Sequence, residues 1–126
     1  MTVVKMYRDF RRQFPELTQA ADARHVRIFG SVDPETAFLW FESLAGAVND
    51  QMGVEEQAYE LASVFHYFEG ELLGGDEEVK HCIDASFVEN LFWEVRSEPA
   101  ATVWAIVPKP MQQLYLSFHG RPPASD

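Results

Sequence analysis

The stretch DPETAFLWFESLAGAVND, residues 33–50, decides the fold class of this chain. It opens with a helix start, because Asp33 can cap the helix, Pro34 suits the first turn and Glu35 complements the positive end of the helix dipole. After this start, apolar residues recur at steps of three and four, which is the period of one helix face. They are Ala37, Phe38, Phe41, Leu44, Ala45 and Val48. The stretch therefore predicts an amphipathic α-helix that ends near Gly53.

The helical period continues towards the C-terminus. A second helix is predicted over about 54–73, and Gly74-Gly75-Asp76 ends it and caps the next, which favours an antiparallel hairpin. That third helix is predicted from Asp76 to Val95, with two apolar rows that indicate packing between neighbours. Shorter helices are predicted over Ser97–Val107 and Met111–Phe118, separated by two prolines that interrupt helical hydrogen bonding.

The first thirty residues are less regular. Val3 to Phe14 fit a helix that Pro15 terminates. Val26, Ile28 and Phe29 then alternate with polar residues or glycine, as in a short strand. Because a single strand cannot form a sheet, we interpret this stretch as an irregular connector.

These segments predict one all-α domain of five or six helices, arranged as an antiparallel α-hairpin stack or a bundle. We divide residues 1–126 into a basic N-terminal helix and connector (1–30), an acidic helical core (31–118) and a flexible tail (119–126). No linker indicates a second domain, and no fixed-period repeat predicts a solenoid.

The composition fits a globular protein of one domain. The chain has 126 residues, of which 47% are hydrophobic and 13% aromatic, so it has enough apolar material for a core. The single cysteine, Cys82, excludes an intramolecular disulfide and fits a reducing compartment. The longest apolar stretches are far shorter than a membrane span. We therefore expect a soluble, cytoplasmic protein without a membrane partner.

The net charge of −10 is distributed unevenly. Residues 1–30 contain six basic and three acidic residues, whereas residues 31–98 contain sixteen acidic residues and two basic ones. An acidic field of this size repels phosphate, so we expect neither nucleic acid nor an anionic membrane as a partner. Two interpretations stay open: a solvated face that maintains solubility, or a docking surface for a basic partner.

No motif in the chain predicts a reaction or a cofactor. Glu78 and His81 form one Glu-x-x-His pair, but His66 has serine instead of glutamate three residues before it, so the paired pattern of a helical di-metal site is incomplete. His81 is poorly placed to activate Cys82, because adjacent residues on a helix point in different directions. We interpret Cys82 as a core residue. We therefore predict no enzymatic activity, no catalytic residue, no metal ligand and no cofactor.

Aromatic residues beside carboxylates are the best candidates for a binding surface. Trp40, Tyr67 and Trp93 lie off the main apolar stripes, and an exposed aromatic side chain within a charged rim is typical of an interface anchor. The alternative is a second packing face against another helix. The candidate partner-binding residues are Trp40, Glu42, Tyr67, Glu69, Glu71, Asp76, Glu77, Glu78, Trp93 and Glu94.

Three short stretches resemble an uncharacterised family of small, all-helical bacterial proteins. The stretches are Gly75-Asp76-Glu77-Glu78-Val79-Lys80, Ser86-Phe87-Val88-Glu89-Asn90-Leu91 and Val107-Pro108-Lys109-Pro110, with Val107 in place of the leucine usual in that family. The resemblance covers about residues 34–116 and leaves the basic N-terminal segment outside. It implies paired helices similar to those of HEAT-type stacks and carries no catalytic residue over. Some proteins of this appearance act as immunity proteins that bind and block a toxin.

Together, the residues and the resemblance predict a non-enzymatic protein-binding module. In its most specific form this is an immunity protein that neutralises a bacterial toxin, a basic protein partner, through the acidic surface. One alternative is a metal- or small-ligand-binding helical protein that uses Glu78, His81 and His66. The other is a structural homodimer whose exposed aromatic face pairs with itself.

Overall fold

The chain is all-helical, without a β-strand, over residues 1–123, the part that the structure, a computed structural model, describes. Its α-helices are α1 (Val3–Gln13), α2 (Pro15–Phe29), α3 (Ala37–Gln51), α4 (Ala58–Gly74), α5 (Glu77–Cys82), α6 (Ser97–Trp104) and α7 (Lys109–His119). Single 3-10 turns, Pro34–Thr36 and Glu55–Gln57, lead into α3 and α4. The all-α prediction is confirmed, whereas five or six helices were too few.

Helix α2 occupies the stretch that the sequence pattern predicted to be a connector. Its buried residues Leu17, Ala21 and His25 follow one another at steps of four, so they form one row on a helix face. The apolar residues after position 25 stay exposed at the end of the helix, where their alternation imitates a strand. The helix ends at Gly30, which adopts a left-handed φ of 90°. The predicted connector is therefore wrong.

The predicted third helix begins as expected but ends early. The Asp76 carboxylate accepts a hydrogen bond from the Val79 amide at 2.9 Å and caps α5. After α5 the chain continues as a π-helical turn, Ile83–Phe87, and a 3-10 turn that ends at Asn90. A regular helix would direct the next two residues to different sides. Here the chain leaves the helix instead, and both Leu91 and Phe92 are buried.

The C-terminal helices lie close to their predicted positions. Helix α6 ends three residues before the predicted end at Val107, and α7 begins two residues before Met111. Pro110 lies in the first turn of α7, where a helix needs no amide donor. The predicted tail, 119–126, begins inside α7 at His119, and residues 124–126 lie outside the described residues.

One hydrophobic core includes residues of all seven helices. Helix α3 lies at its centre and contacts α1, α2 and the π-helical turn. The ring of Phe10 packs against Trp40 and Phe68, with ring centroids 5.8 Å and 5.6 Å away. Cys82 is fully buried, and burial raises the pKa of its thiol to about 12, which agrees with a core cysteine. None of the described helices is both long and apolar enough to cross a bilayer.

A polar cluster around Asp22 joins the first three helices. Arg11 of α1 donates two hydrogen bonds to the Asp22 carboxylate of α2, at 2.7 Å and 2.8 Å. The Trp40 indole of α3 donates a third, at 2.8 Å. Burial acts to raise the pKa of Asp22, but the hydrogen bonds from Arg11 and Trp40 outweigh it and hold the pKa below 3.8. Asp22 therefore stays ionised and fixes the three helices together.

Replacing this carboxylate should destabilise the whole fold. We expect Asp22→Asn to lower the free energy of unfolding by about 2–3 kcal/mol, because hydrogen bonds to charged groups contribute more than neutral ones and both donors stay partly buried. Urea unfolding at neutral pH measures the change. The matched control is Asp50→Asn, which breaks the exposed ion pair with Arg24 and should cost about 0.5 kcal/mol. Equal losses in the two variants would contradict the central role of Asp22.

Candidate functional site

A strained turn directly after Asn90 presents the most exposed tryptophan of the chain. Phe92 and Glu94 adopt positive φ values of 69° and 58°, in the left-handed region that residues with a Cβ atom seldom occupy. Trp93 lies between them, and 70% of its side chain surface is exposed. Backbone strain of this kind persists only where surrounding contacts enforce it, and it is concentrated at functional sites.

Two sets of contacts enforce the turn. The Asn49 side chain of α3 donates to the Asn90 carbonyl oxygen at 2.9 Å and accepts from the Phe92 amide at 2.7 Å. The Phe92 ring packs edge-on against Trp104 and Tyr115, with centroids 5.9 Å and 5.6 Å away. The buried amide and the buried ring therefore hold the exposed Trp93 in place.

Trp93 forms one wall of a groove between α2, α3 and the turn. This Trp93 groove has a volume of about 340 Å³. Ile28 and Phe29 at the end of α2 supply exposed apolar surface, and Ser43 and Gly46 of α3 lie at its base. Its remaining lining residues are Arg24, Glu42, Asn49 and Asn90. An exposed aromatic wall, an apolar rim and a few charges are the features of a binding surface.

A second, more polar cavity of about 520 Å³ shares Trp93 with the groove. Asp50, Glu94 and Arg96 supply charges that the first groove lacks. Arg24 lines both cavities, and its guanidinium donates to the Asp50 carboxylate at 3.1 Å. Carboxylates therefore line both of the cavities that Trp93 borders.

Gly46 determines where the Arg24 side chain lies. A Cβ atom at position 46 would overlap the Arg24 guanidinium, which crosses the helix at the glycine. The missing side chain thus allows Arg24 to lie flat against α3 and to reach Asp50. The base of the groove is shaped by a glycine inside a helix, where glycine otherwise weakens helical structure.

A buried histidine lies beneath the groove. The Nδ1 atom of His25 is 2.8 Å from the Ser43 hydroxyl, and both residues are almost completely buried. The imidazole ring also packs against Phe29, at a centroid distance of 4.7 Å. Burial lowers the pKa of His25 below its ordinary value of 6.5, although the carboxylates of Asp22 and Glu42 act in the opposite direction. His25 is therefore neutral at pH 7.

The structure divides the aromatic candidates among three environments. Trp93 is exposed as an anchor requires. Trp40 is 1% exposed, so its predicted role as a surface anchor is wrong: the second packing face, weighed as the alternative, takes it into the core against α1 and α2. Tyr67 is half-buried, and its hydroxyl donates to the Asp9 carboxylate at 2.8 Å, which ties α4 to α1.

The acidic candidates do not form one surface with Trp93. Glu42 lines the Trp93 groove, and Glu94 lines the adjoining cavity. The other five lie on α4 and at the start of α5, and line neither cavity: Glu69, Glu71, Asp76, Glu77 and Glu78. Burial, followed by the charge of Asp9, raises the pKa of Glu71.

The sequence pattern missed several residues of the groove. Ile28 and Phe29 belong to the stretch that the sequence pattern predicts to be a connector, and Arg24 directly precedes that stretch. The pattern therefore predicts no helix face for these three residues. The sequence pattern indicates only that Asn49 lies near the end of a helix, and not that its side chain contacts the turn. The spacing of Leu17, Ala21 and His25 at steps of four is a signal from which this helix could be predicted, because it implies a helix through residue 25.

The structure also locates the residues of the metal alternative. His66 is exposed and lies 3.8 Å from the Glu69 carboxylate, whereas the His81 ring packs against Phe38 at 5.5 Å. Within residues 1–123, no three His, Cys, Asp or Glu side chains come together as a metal ion would require.

The chain belongs to the family described as a domain of unknown function, DUF7674, whose model matches residues 7–120. The match begins inside α1 and ends just after α7, so it includes most of the N-terminal segment that the resemblance left outside. No curated protein and no solved structure matches the chain. The family description names no activity, so the function has to be inferred from the site.

The buried His25 should make the stability depend on pH. The pKa of His25 is lowered in the folded state, so below pH 6.5 the unfolded chain binds a proton more readily than the folded protein does. The free energy of unfolding therefore decreases as the pH is lowered. Urea unfolding between pH 8 and about pH 5 measures this loss. His25→Gln should flatten the profile over this interval. An unaltered profile in His25→Gln would contradict the assignment.

The amide of Asn49 should stabilise both the fold and the position of Trp93. We expect Asn49→Ala to lower the free energy of unfolding by about 2–3 kcal/mol, because the Asn90 carbonyl and the Phe92 amide lose their partner. Trp93 should also become more mobile, which ¹⁵N relaxation of its indole N–H signal in the full chain would detect. Unchanged stability and relaxation would show that the turn does not need Asn49.

Proposed function

We propose that this protein is a non-enzymatic binding module that recognises a basic protein partner through the Trp93 groove. Carboxylates would steer the partner, and Trp93 would anchor it. The function is a contact between two folded surfaces rather than a chemical reaction.

The single observation that carries the proposal is the presentation of Trp93. A tryptophan with 70% of its side chain exposed is costly in water, and here two left-handed residues hold it outward. Tryptophan is also enriched among the residues that dominate binding energy. Ile28, which is 61% exposed, lines the same groove, so the groove offers apolar surface beside its polar groups.

The charge distribution supports a basic partner. Residues 31–98 contain sixteen acidic residues and two basic ones, and Glu42, Asp50 and Glu94 of this segment border the two cavities. Complementary charge accelerates association and improves specificity. The acidic residues of α4 and α5 lie away from the groove, so we assign them to long-range attraction rather than contact.

The most specific form of the proposal is an immunity protein that neutralises a bacterial toxin in the cytoplasm. The resemblance described above suggests this form, and an acidic surface suits the basic active sites of enzymes that act on nucleic acid. It predicts that the partner is toxic when expressed alone and harmless when this protein is expressed with it.

Trp93→Ala should abolish partner binding. We expect the wild-type protein, immobilised, to retain one basic protein in near-equal amount from a lysate of the source organism, and Trp93→Ala to retain at least about tenfold less. Quantitative mass spectrometry measures retention at low and moderate salt, and higher salt should weaken it. The control is Tyr59→Ala, since Tyr59 is 86% exposed on a different cavity.

Two results would overturn the proposal. Equal retention by the wild-type and Trp93→Ala proteins would place the interface elsewhere. Self-association in analytical ultracentrifugation, lost in Trp93→Ala but not in Tyr59→Ala, would favour the homodimer alternative, in which the apolar rim pairs with its own copy.

A further inference from the structure

We propose that the Trp93 groove accepts an arginine side chain of the partner, whose guanidinium stacks on the Trp93 indole and pairs with Glu42 or Glu94. This inference rests on the proposed function, because it names the chemical group by which that partner is recognised.

A partly buried version of this arrangement already exists where α1, α2 and α3 meet. The Arg11 guanidinium carbon lies 5.0 Å from the ring centroid of Tyr7 and 5.8 Å from that of Trp40. Both of its terminal nitrogens donate to the Asp22 carboxylate. A guanidinium is thus held by aromatic faces and a carboxylate together, a combination that is favourable because the ring face carries negative electrostatic potential.

The Trp93 groove has the same components without the cation between them. The indole is exposed, Glu42 lines the same cavity, and Glu94 follows Trp93 in the strained turn. Over residues 1–123, neither Glu42 nor Glu94 forms an ion pair with a side chain of this chain. An aromatic face and two carboxylates are therefore available to a cation from outside.

The cations near the groove do not occupy this position. Arg24 is paired with Asp50 and lies against Gly46, at the base. Arg96 lines the second cavity and not the Trp93 groove. Glu42 is therefore the carboxylate of the Trp93 groove that is left for a foreign guanidinium.

The exposed indole favours arginine over lysine. A guanidinium is planar and weakly hydrated, so it stacks on an indole, whereas an ammonium keeps its water. Ile28 and Phe29 supply apolar surface on which the methylene groups of arginine can lie. The partner is therefore a protein with an exposed arginine at the centre of its contact surface.

Nuclear magnetic resonance with the full ¹⁵N-labelled chain tests the inference directly. The probe is the peptide acetyl-Gly-Arg-Gly-amide, and its citrulline twin has the same shape without the charge. We expect the arginine peptide to shift the indole N–H signal of Trp93, while that of the buried Trp40 stays fixed. The citrulline peptide should bind about fivefold more weakly.

Variants test whether Glu42 and Glu94 are the carboxylates that pair with the arginine side chain. Glu42→Gln with Glu94→Gln should raise the dissociation constant of the arginine peptide about threefold or more, because two exposed charge pairs are lost. The matched control, Glu56→Gln with Glu77→Gln, removes the same charge from positions that line neither cavity and should change it much less. Trp93→Phe should retain binding, and Trp93→Ala should lose it.

The outcomes separate this inference from the proposed function. Absence of a Trp93 shift, or equal shifts with the arginine and citrulline peptides, overturns the arginine site. If partner capture from the lysate still depends on Trp93 in that case, the proposed function stands and the partner is held by apolar contacts. If capture does not depend on Trp93 either, both proposals are wrong.

Discussion

The carboxylate of Asp22 is the constraint on which the other features depend. It accepts hydrogen bonds from α1 and α3 while it belongs to α2, so it fixes the position of three helices with one partly buried charge. That arrangement draws Trp40 into the core and packs α2 along α3. The end of α2, with Ile28 and Phe29, is thereby placed beside the base of the groove. A polar interaction between helices thus determines where an apolar surface is exposed.

Asn49 has a corresponding role at the other wall of the groove. Its amide replaces the helical hydrogen bonds that end at Asn90 and makes the left-handed turn possible. Helix α3 therefore supplies both the base of the groove, through Ser43 and Gly46, and the support of Trp93. Since α3 is also the central helix of the core, the groove is built on a helix that the core holds in place, which would favour preorganised binding.

The structure separates the acidic residues of the protein into two groups. Most of the predicted acidic residues lie on α4 and α5, away from Trp93, and contribute to a field rather than to one contact. Among the acidic residues of 1–123, those that border the two cavities are Glu42, Asp50 and Glu94. In the function that we propose, the first group attracts the partner over distance and the second contacts it, a division that is common where charge controls the rate of association and a few aromatic residues control affinity.

The sequence by itself determined the all-helical class, the cap at Asp76 and most helix ends, because caps, prolines and the 3.6-residue period act over a few residues of chain. It did not determine helix α2, the early end of the third helix, or which tryptophan is exposed. Trp40 and Trp93 both lie beside glutamate and off the apolar stripes, yet one is buried by α1 and α2 and the other is held outward by Asn49. Exposure depends on contacts between residues distant in the chain, so only the tertiary structure decided it.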